Sequence, residues 1–232
     1  MTVTLITGAN KGIGYETARR LIEAGHTVYV GARDVARGGK AAAELGARFV
    51  RLDVTDDDSV AAALATIGDA EGRLDVLVNN AGVMRGSLGV DGVDGPDALA
   101  VFNTNVIGVI RVTQAALPLL RRSANPVVVN VSSSLGSFWA VTNPQRHESH
   151  NASVVYGASK AAVSMLTVQY AKAVPEIKFN AVEPGFTATD LTATFGGGRP
   201  VEQSAPVVVR MATIGAAGPT GTFQETAGEL AW

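Results

Sequence analysis

A chain of 232 residues, 47% of them apolar and 17% charged, can bury a sizeable core as one large α/β domain or two small ones. Its formal charge of −2, with no basic run, gives no field for gripping phosphate backbones and argues against nucleic acid as a partner. Without cysteine there are no disulfides, thiol nucleophiles or thiolate-bound zinc. No apolar stretch forms a leader or reaches spanning length, so the expectation is a cytoplasmic protein with no membrane partner.

Val3 to Thr7 reads as a short buried strand running into Gly8-Ala9-Asn10-Lys11-Gly12-Ile13-Gly14, after which apolar residues recur at helical spacing from Tyr15 to Ile22. A strand, a glycine turn and a helix start aim free backbone N–H groups at a pyrophosphate. The spacing is Gly-x-x-x-Gly-x-Gly rather than Gly-x-Gly-x-x-Gly, and a tight turn without a ligand is the competing reading. His26 to Gly31 is the second strand. Ala32 and Arg33 hold the place at its end where an NAD enzyme wants a carboxylate for the ribose hydroxyls. Arg33 and Lys11 are instead two cations suited to the extra phosphate of NADP, so NADP is expected ahead of NAD.

Asp34 to Leu45 is a helix and Arg48 to Leu52 the third strand, ending in Asp53-Val54. Asp56, Asp57 and Asp58 then charge the first turn of another helix. Leu74 to Val78 is the fourth strand, closed by Asn79-Asn80-Ala81-Gly82. Ser87 to Pro96 reads as a surface loop, and one long helix is expected from about Asp97 to Arg122. Asn103 and Asn105 sit inside that helix, where asparagine is a mediocre residue. Val127 to Val131 is the fifth strand, followed by Ser132-Ser133-Ser134. Residues 135–153 read as irregular, with His147 and His150 as loop histidines rather than a metal site. A helix then runs to about Ala173, Ile177 to Val182 is a sixth strand, and Glu183-Pro184-Gly185-Phe186-Thr187 follows. Gly196-Gly197-Gly198 suggests a lid in a substrate loop over about 186–200, before a helix near Val201 to Thr213 and a last edge strand at Gly221 to Gln224. Alternating strands and helices predict an α/β fold, a Rossmann-type doubly wound parallel sheet of about seven strands, in a single domain over 1–232. Its strand carboxyl ends, where ligands collect, carry Gly8, Arg33, Asp53 and Asn79.

Tyr156 and Lys160 lie four apart on the helix that runs to about Ala173, hence on one face and about one turn from each other. A phenol normally titrates near ~10. A cation beside it favours the phenolate and makes it a usable acid/base group.

Thr7-Gly8-x-x-x-Gly12-x-Gly14, Asn79-Asn80-Ala81-Gly82, Asn105, the serines after the fifth strand, Tyr156-x-x-x-Lys160 and Pro184-Gly185-x-Thr187 resemble, in this order, the short-chain dehydrogenase/reductase family in its compact branch. The resemblance implies that Tyr156 is the general acid/base, that Lys160 lowers its pKa and binds the nicotinamide ribose, and that Ser133 orients the substrate oxygen, with Ser134 second. It implies that Asn105 joins a proton relay, that Pro184, Gly185 and Thr187 position the carboxamide, and that Asn79, Ala81 and Gly82 support the adenosine. Asp53 and Val54 would lie against the adenine. The function implied is transfer of a hydride between NADP(H) and a small carbonyl or alcohol substrate. The alternative is a non-catalytic NADP-binding redox sensor; a serine hydrolase lacks its Gly-x-Ser-x-Gly elbow. Ser133 precedes Tyr156 by 23 residues, so 135–153 contains an insertion, similar to that of the carbonyl and menthone reductases. Its place could cover the substrate pocket and obstruct a helix face through which relatives associate, which leaves a homo-oligomer open. Glu183 stands where relatives often carry Asn, with no role assigned.

Overall fold

The structure, a computed structural model, describes residues 1–86 and 89–232, so the first two residues of the expected surface loop, Ser87 and Leu88, lie outside the described residues. Val, Ile and Leu dominate β1 (Val3–Thr7), β4 (Val76–Asn79) and β5 (Val127–Val131), and β6 (Lys178–Val182) follows them in the sheet. β-branched runs without alternation suit strands covered on both faces, and β1, β4 and β5 are buried at every position. With β2 (Thr27–Ala32), β3 (Arg48–Arg51), β7 (Phe223–Glu225) and β8 (Gly228–Glu229), the described strands form one sheet ordered β3-β2-β1-β4-β5-β6-β7-β8. The seven strands from β3 to β7 run parallel. The expected last edge strand is followed by β8, which pairs antiparallel through Gln224 and Glu229. The order reverses between β1 and β4, which opens a crevice at their carboxyl ends.

Helices cover both faces. α1 (Gly12–Glu23), α2 (Val35–Leu45) and α3 (Asp57–Glu71) form the first crossovers. Aspartates cap α2 and α3: Asp34 accepts from the Arg37 N–H, and Asp56 from those of Asp58 and Ser59. The long helix expected from Asp97 is in fact two. α4 (Gly95–Phe102) and α5 (Gly108–Leu120) flank a π-helical turn, Asn103–Ile107, at the two asparagines. Arg111 donates to Asn103 Oδ1 at 2.8 Å and so braces the turn. Residues 135–153 are also more ordered than expected. They hold a 3₁₀ turn at Ser134–Gly136, α6 (Phe138–Thr142, capped by Ser137) and a second 3₁₀ turn at His147–His150. The physical reason is long-range: Ser137 Oγ donates to the Ala231 carbonyl, and Arg146 clasps buried Glu148 and Glu225 of β7. α7 (Val154–Ala173) carries Tyr156 and Lys160, and α8 (Val201–Ala212) closes the other face. Among the described residues no helix is long and apolar enough to cross a membrane.

Candidate active site

The glycine turn sits at the end of β1. Gly8 adopts φ +65°, and a Cβ on it would approach Ala81 Cα to 3.0 Å; both the dihedral and the close approach of the β4 loop call for glycine. Thr7 Oγ1 accepts from the N–H groups of Asn80 and Ala81, while Asn80 Nδ2 donates to the carbonyls of Thr7 and Gly8. The Asn-Asn-Ala-Gly segment is thus the buttress of the turn. Lys11 occupies the N-cap of α1 and offers no side-chain acceptor to its first N–H groups, whereas α2, α3 and α4 are each capped by an aspartate. An uncapped helix start behind a glycine turn keeps its N–H groups and partial positive charge available to an anion.

At the neighbouring strand ends four side chains converge. Tyr156 lies half-buried in the first turn of α7, with the Ser133 hydroxyl placed to favour the ionised form of its phenol. Lys160 is 5% exposed; its Nζ donates to the Val131 carbonyl at 2.7 Å and stands 5.6 Å from the centre of the Tyr156 ring. Asn105, in the π turn, is 1% exposed. It exchanges hydrogen bonds with the backbone of Val83 and donates to Ser159 Oγ at 3.0 Å, and Ser159 donates on to the Tyr156 carbonyl. A Cβ on Gly82 would lie 3.5 Å from Asn105 Oδ1 and 3.7 Å from Lys160 Nζ, which brings the β4 loop into the same cluster. Ser134 turns the other way, its amide donating to Glu183.

A family model for short chain dehydrogenases matches residues 2–199. The chain belongs to the short-chain dehydrogenase/reductase family. It is 34% identical to the short-chain dehydrogenase/reductase ATR10 of Stachybotrys chlorohalonatus, over 97% of this chain and 88% of that one. Among solved structures it resembles an NADPH-bound carbonyl reductase from chicken fatty liver, with 28% identity, a TM-score of 0.86 and full coverage of both chains. It also resembles a 3-ketoacyl-(acyl-carrier-protein) reductase from Brucella melitensis complexed with NADH, with 25% identity and a TM-score of 0.84 over 97% of this chain and 96% of that one.

In this short-chain dehydrogenase three of the expected relationships take another form. The first is the titration of the tyrosine. Burial pushes the Tyr156 phenol up, and the charge of Glu183 pushes it further; the nearby Ser133 hydroxyl opposes them. Helical spacing puts Lys160 on the right face, but its ammonium is turned to Val131, and burial lowers it to about 8. The second is Asn79. Its amide donates to Thr113 Oγ1 and Asn130 Oδ1 inside the sheet–helix layer, so its side chain does not serve the crevice. The third is Lys11, which pairs at the surface with Asp190 of the loop after β6; Arg33 is exposed, and its charge helps hold Asp53 below the usual carboxylate range. Asp53 itself accepts from the N–H and hydroxyl of Thr55, and Val54 packs under Gly108.

Two further residues had no role assigned from the sequence. Arg199 donates to the Pro184 carbonyl and pins the loop after β6, where Thr187 and Arg199 form a parallel bridge. Thr187 Oγ1 donates to the Gly185 carbonyl at 2.7 Å and shares a hydrogen with Ser204 Oγ at 2.6 Å. The other is Glu183, buried at the end of β6, with Oε2 accepting from the Ser134 amide and Oε1 from the Gly185 amide at 2.5 Å. An acid directly after the strand Lys178–Val182 was the available signal.

Proposed function

We propose that the chain is an NADPH-preferring reductase of ketones or aldehydes, with Tyr156 as proton donor. The observation that carries this reading is the grouping of the Ser133 and Tyr156 side chains with the buried ammonium of Lys160 at the end of β5, two strands from the glycine turn. A dinucleotide suits the residues present, since the first N–H groups of α1 have no side-chain acceptor, while Gly8 and Gly14 let the turn pack closely on Ala81 and Asn80. When bound, the nicotinamide supplies the hydride to the carbonyl carbon.

The rest of the chemistry belongs to the chain. Ser133 and Tyr156 hydrogen-bond the carbonyl oxygen and stabilise the negative charge that develops there. Tyr156 Oη passes its proton to that oxygen, and the resulting phenolate is reprotonated through Lys160 and the Asn105 turn. A phenol held in its protonated form by burial suits the reductive direction. Gly12, Ile13 and Asn10 line the phosphate turn, Ala81 and Gly82 the adenosine side, Asp53 and Val54 the adenine, and Pro184, Gly185 and Thr187 the carboxamide. Phe138, Trp139, Phe186 and Phe195 are each more than two-fifths exposed on the insertion and the substrate loop, which with Leu191 favours an apolar substrate.

Consumption of NADPH, followed by its absorbance, against a panel of apolar ketones and aldehydes tests the reaction; no turnover with any of them counts against it and favours a sensor. Arg33 carries the cofactor preference. Replacing a phosphate-binding guanidinium by a carboxylate removes charge-assisted hydrogen bonds of about 1.5–3 kcal/mol. Arg33→Asp is therefore expected to raise the KM for NADPH by roughly 10- to 100-fold and leave that for NADH nearly unchanged. Equal effects on the two cofactors would remove Arg33 from the argument.

A further inference from the structure

Lys11, one of the two cations suited to the extra phosphate of NADP, is already engaged. Its Nζ donates to Asp190 Oδ2, although the two residues are 179 positions apart. A second contact lies beside the first: a Cβ on Gly12 would come within 3.4 Å of the Thr189 methyl. Thr189-Asp190 of the loop after β6 therefore rests on Lys11-Gly12 of the glycine turn.

The loop holds Asp190 there through bonds of its own. Its neck is closed by two backbone hydrogen bonds, from the Ala188 N–H to the Arg199 carbonyl and from the Arg199 N–H to the Phe186 carbonyl. Inside it Thr192 Oγ1 accepts from the Thr189 N–H at 3.1 Å, and the Thr192 N–H donates to the Thr189 carbonyl at 3.0 Å. Asp190 sits within this turn, so a formed loop presents its carboxylate to the ammonium. Among the described residues Asp190 is the acid paired with Lys11, while Asp34 at the start of α2 is taken by Arg37. Both partners remain open to solvent, Lys11 with 52% and Asp190 with 76% of its side chain exposed. A pair so placed is weak and can be exchanged. A phosphate monoester brings about −1.5 to −2 charge and three acceptor oxygens, more than a carboxylate offers. A 2′-phosphate arriving at Lys11 displaces Asp190; the neutral ribose hydroxyl of NADH does not.

We propose that Asp190 is a specificity-determining residue: in the free chain its carboxylate occupies the ammonium that the 2′-phosphate of NADPH takes, so NADPH must break this pair and NADH need not. The inference deepens the reading of the chain as NADPH-preferring and rests on it. Asp190 acts with the opposite sign to Arg33: the guanidinium widens the preference and the carboxylate narrows it.

Binding is read without turnover, by fluorescence titration of NADPH and of NADH against wild type, Asp190→Asn, Lys11→Gln and the double variant. Both side chains are at the surface, so folding is not at risk. Asp190→Asn is expected to tighten NADPH by about two- to fivefold, the scale of an exposed ion pair, and to leave NADH unchanged. Lys11→Gln should weaken NADPH, and on that background Asp190→Asn should lose most of its effect, since the two residues act as a pair. An Asp190→Asn variant that binds NADPH no more tightly than wild type overturns the proposal. Equal tightening of NADH does the same, because Asp190 would then act on a part common to both cofactors. A gain that survives in full without Lys11 also overturns it, being the effect of a removed distant charge. Lys11→Gln separates the proposal from the reading beneath it. If that variant weakens NADPH alone while Asp190→Asn is silent, the competition is refuted and the cation assignment stands. If it moves neither cofactor and Arg33→Asp moves both equally, the NADPH reading falls and the proposal with it.

Discussion

Tyr156→Phe is expected to lower kcat for NADPH-dependent carbonyl reduction by about 10³-fold, within the 10²–10⁴ range that a placed general acid contributes. NADPH affinity, measured by fluorescence titration, should change by less than about threefold. The substitution removes one oxygen and keeps the ring, and it is the ring face that the Lys160 ammonium addresses, from 5.6 Å. The loss is large because, on the proposed mechanism, Ser133 and Tyr156 meet the substrate oxygen together, and losing one leaves Ser133 alone with the developing charge. Residual activity within tenfold of wild type would remove Tyr156 from the proton-transfer step.

The parts of the fold that could be read from the sequence are those whose cause is local. Val-Val-Val-Asn-Val over 127–131 and Val-Thr-Leu-Ile-Thr over 3–7 carry their strand character in their own β-branched residues and end on glycine or serine. Asp34 and Asp56 announce helix starts through their capping oxygens. Tyr156 and Lys160 could be assigned to one helical face by counting. What counting could not supply is the direction of the lysine: the Val131 carbonyl it binds is 29 positions away in sequence and adjacent only through the packing of α7 on β5. The same holds for Glu183, whose partners come from the β5 loop and its own loop, and for 135–153, whose helical turns depend on the C-terminal strands. The sign of the π turn at 103–107 available in the sequence was its two asparagines.

These long-range contacts share one junction, and Gly136 lies at it. A Cβ on this residue would lie 2.5 Å from the Lys160 carbonyl carbon, 2.6 Å from the Ala161 nitrogen and 2.8 Å from Lys160 Cβ. The first two are backbone atoms of α7, which cannot rotate aside as a side-chain end can. Gly136→Ala must therefore lift the 3₁₀ turn at Ser134–Gly136 off the helix that carries Tyr156 and Lys160. Overpacking of this kind costs about 1–3 kcal/mol. Because the turn follows Ser133 directly, the Ser133–Tyr156 distance opens as well, and a misplacement of about 1 Å costs on the order of 10²-fold in rate. The expected result is a lowered Tm together with a fall in kcat of about 100-fold, measured by thermal unfolding and steady-state kinetics. Gly39→Ala is the matched control. That glycine is inside α2 with nothing within 4 Å of an added Cβ, so the substitution should stabilise the chain by about 0.4–1 kcal/mol and leave kcat unchanged. Gly136→Ala with wild-type Tm and kcat would mean that the serine turn can move away from α7 without consequence, and that the close backbone contact does not set the geometry of the site.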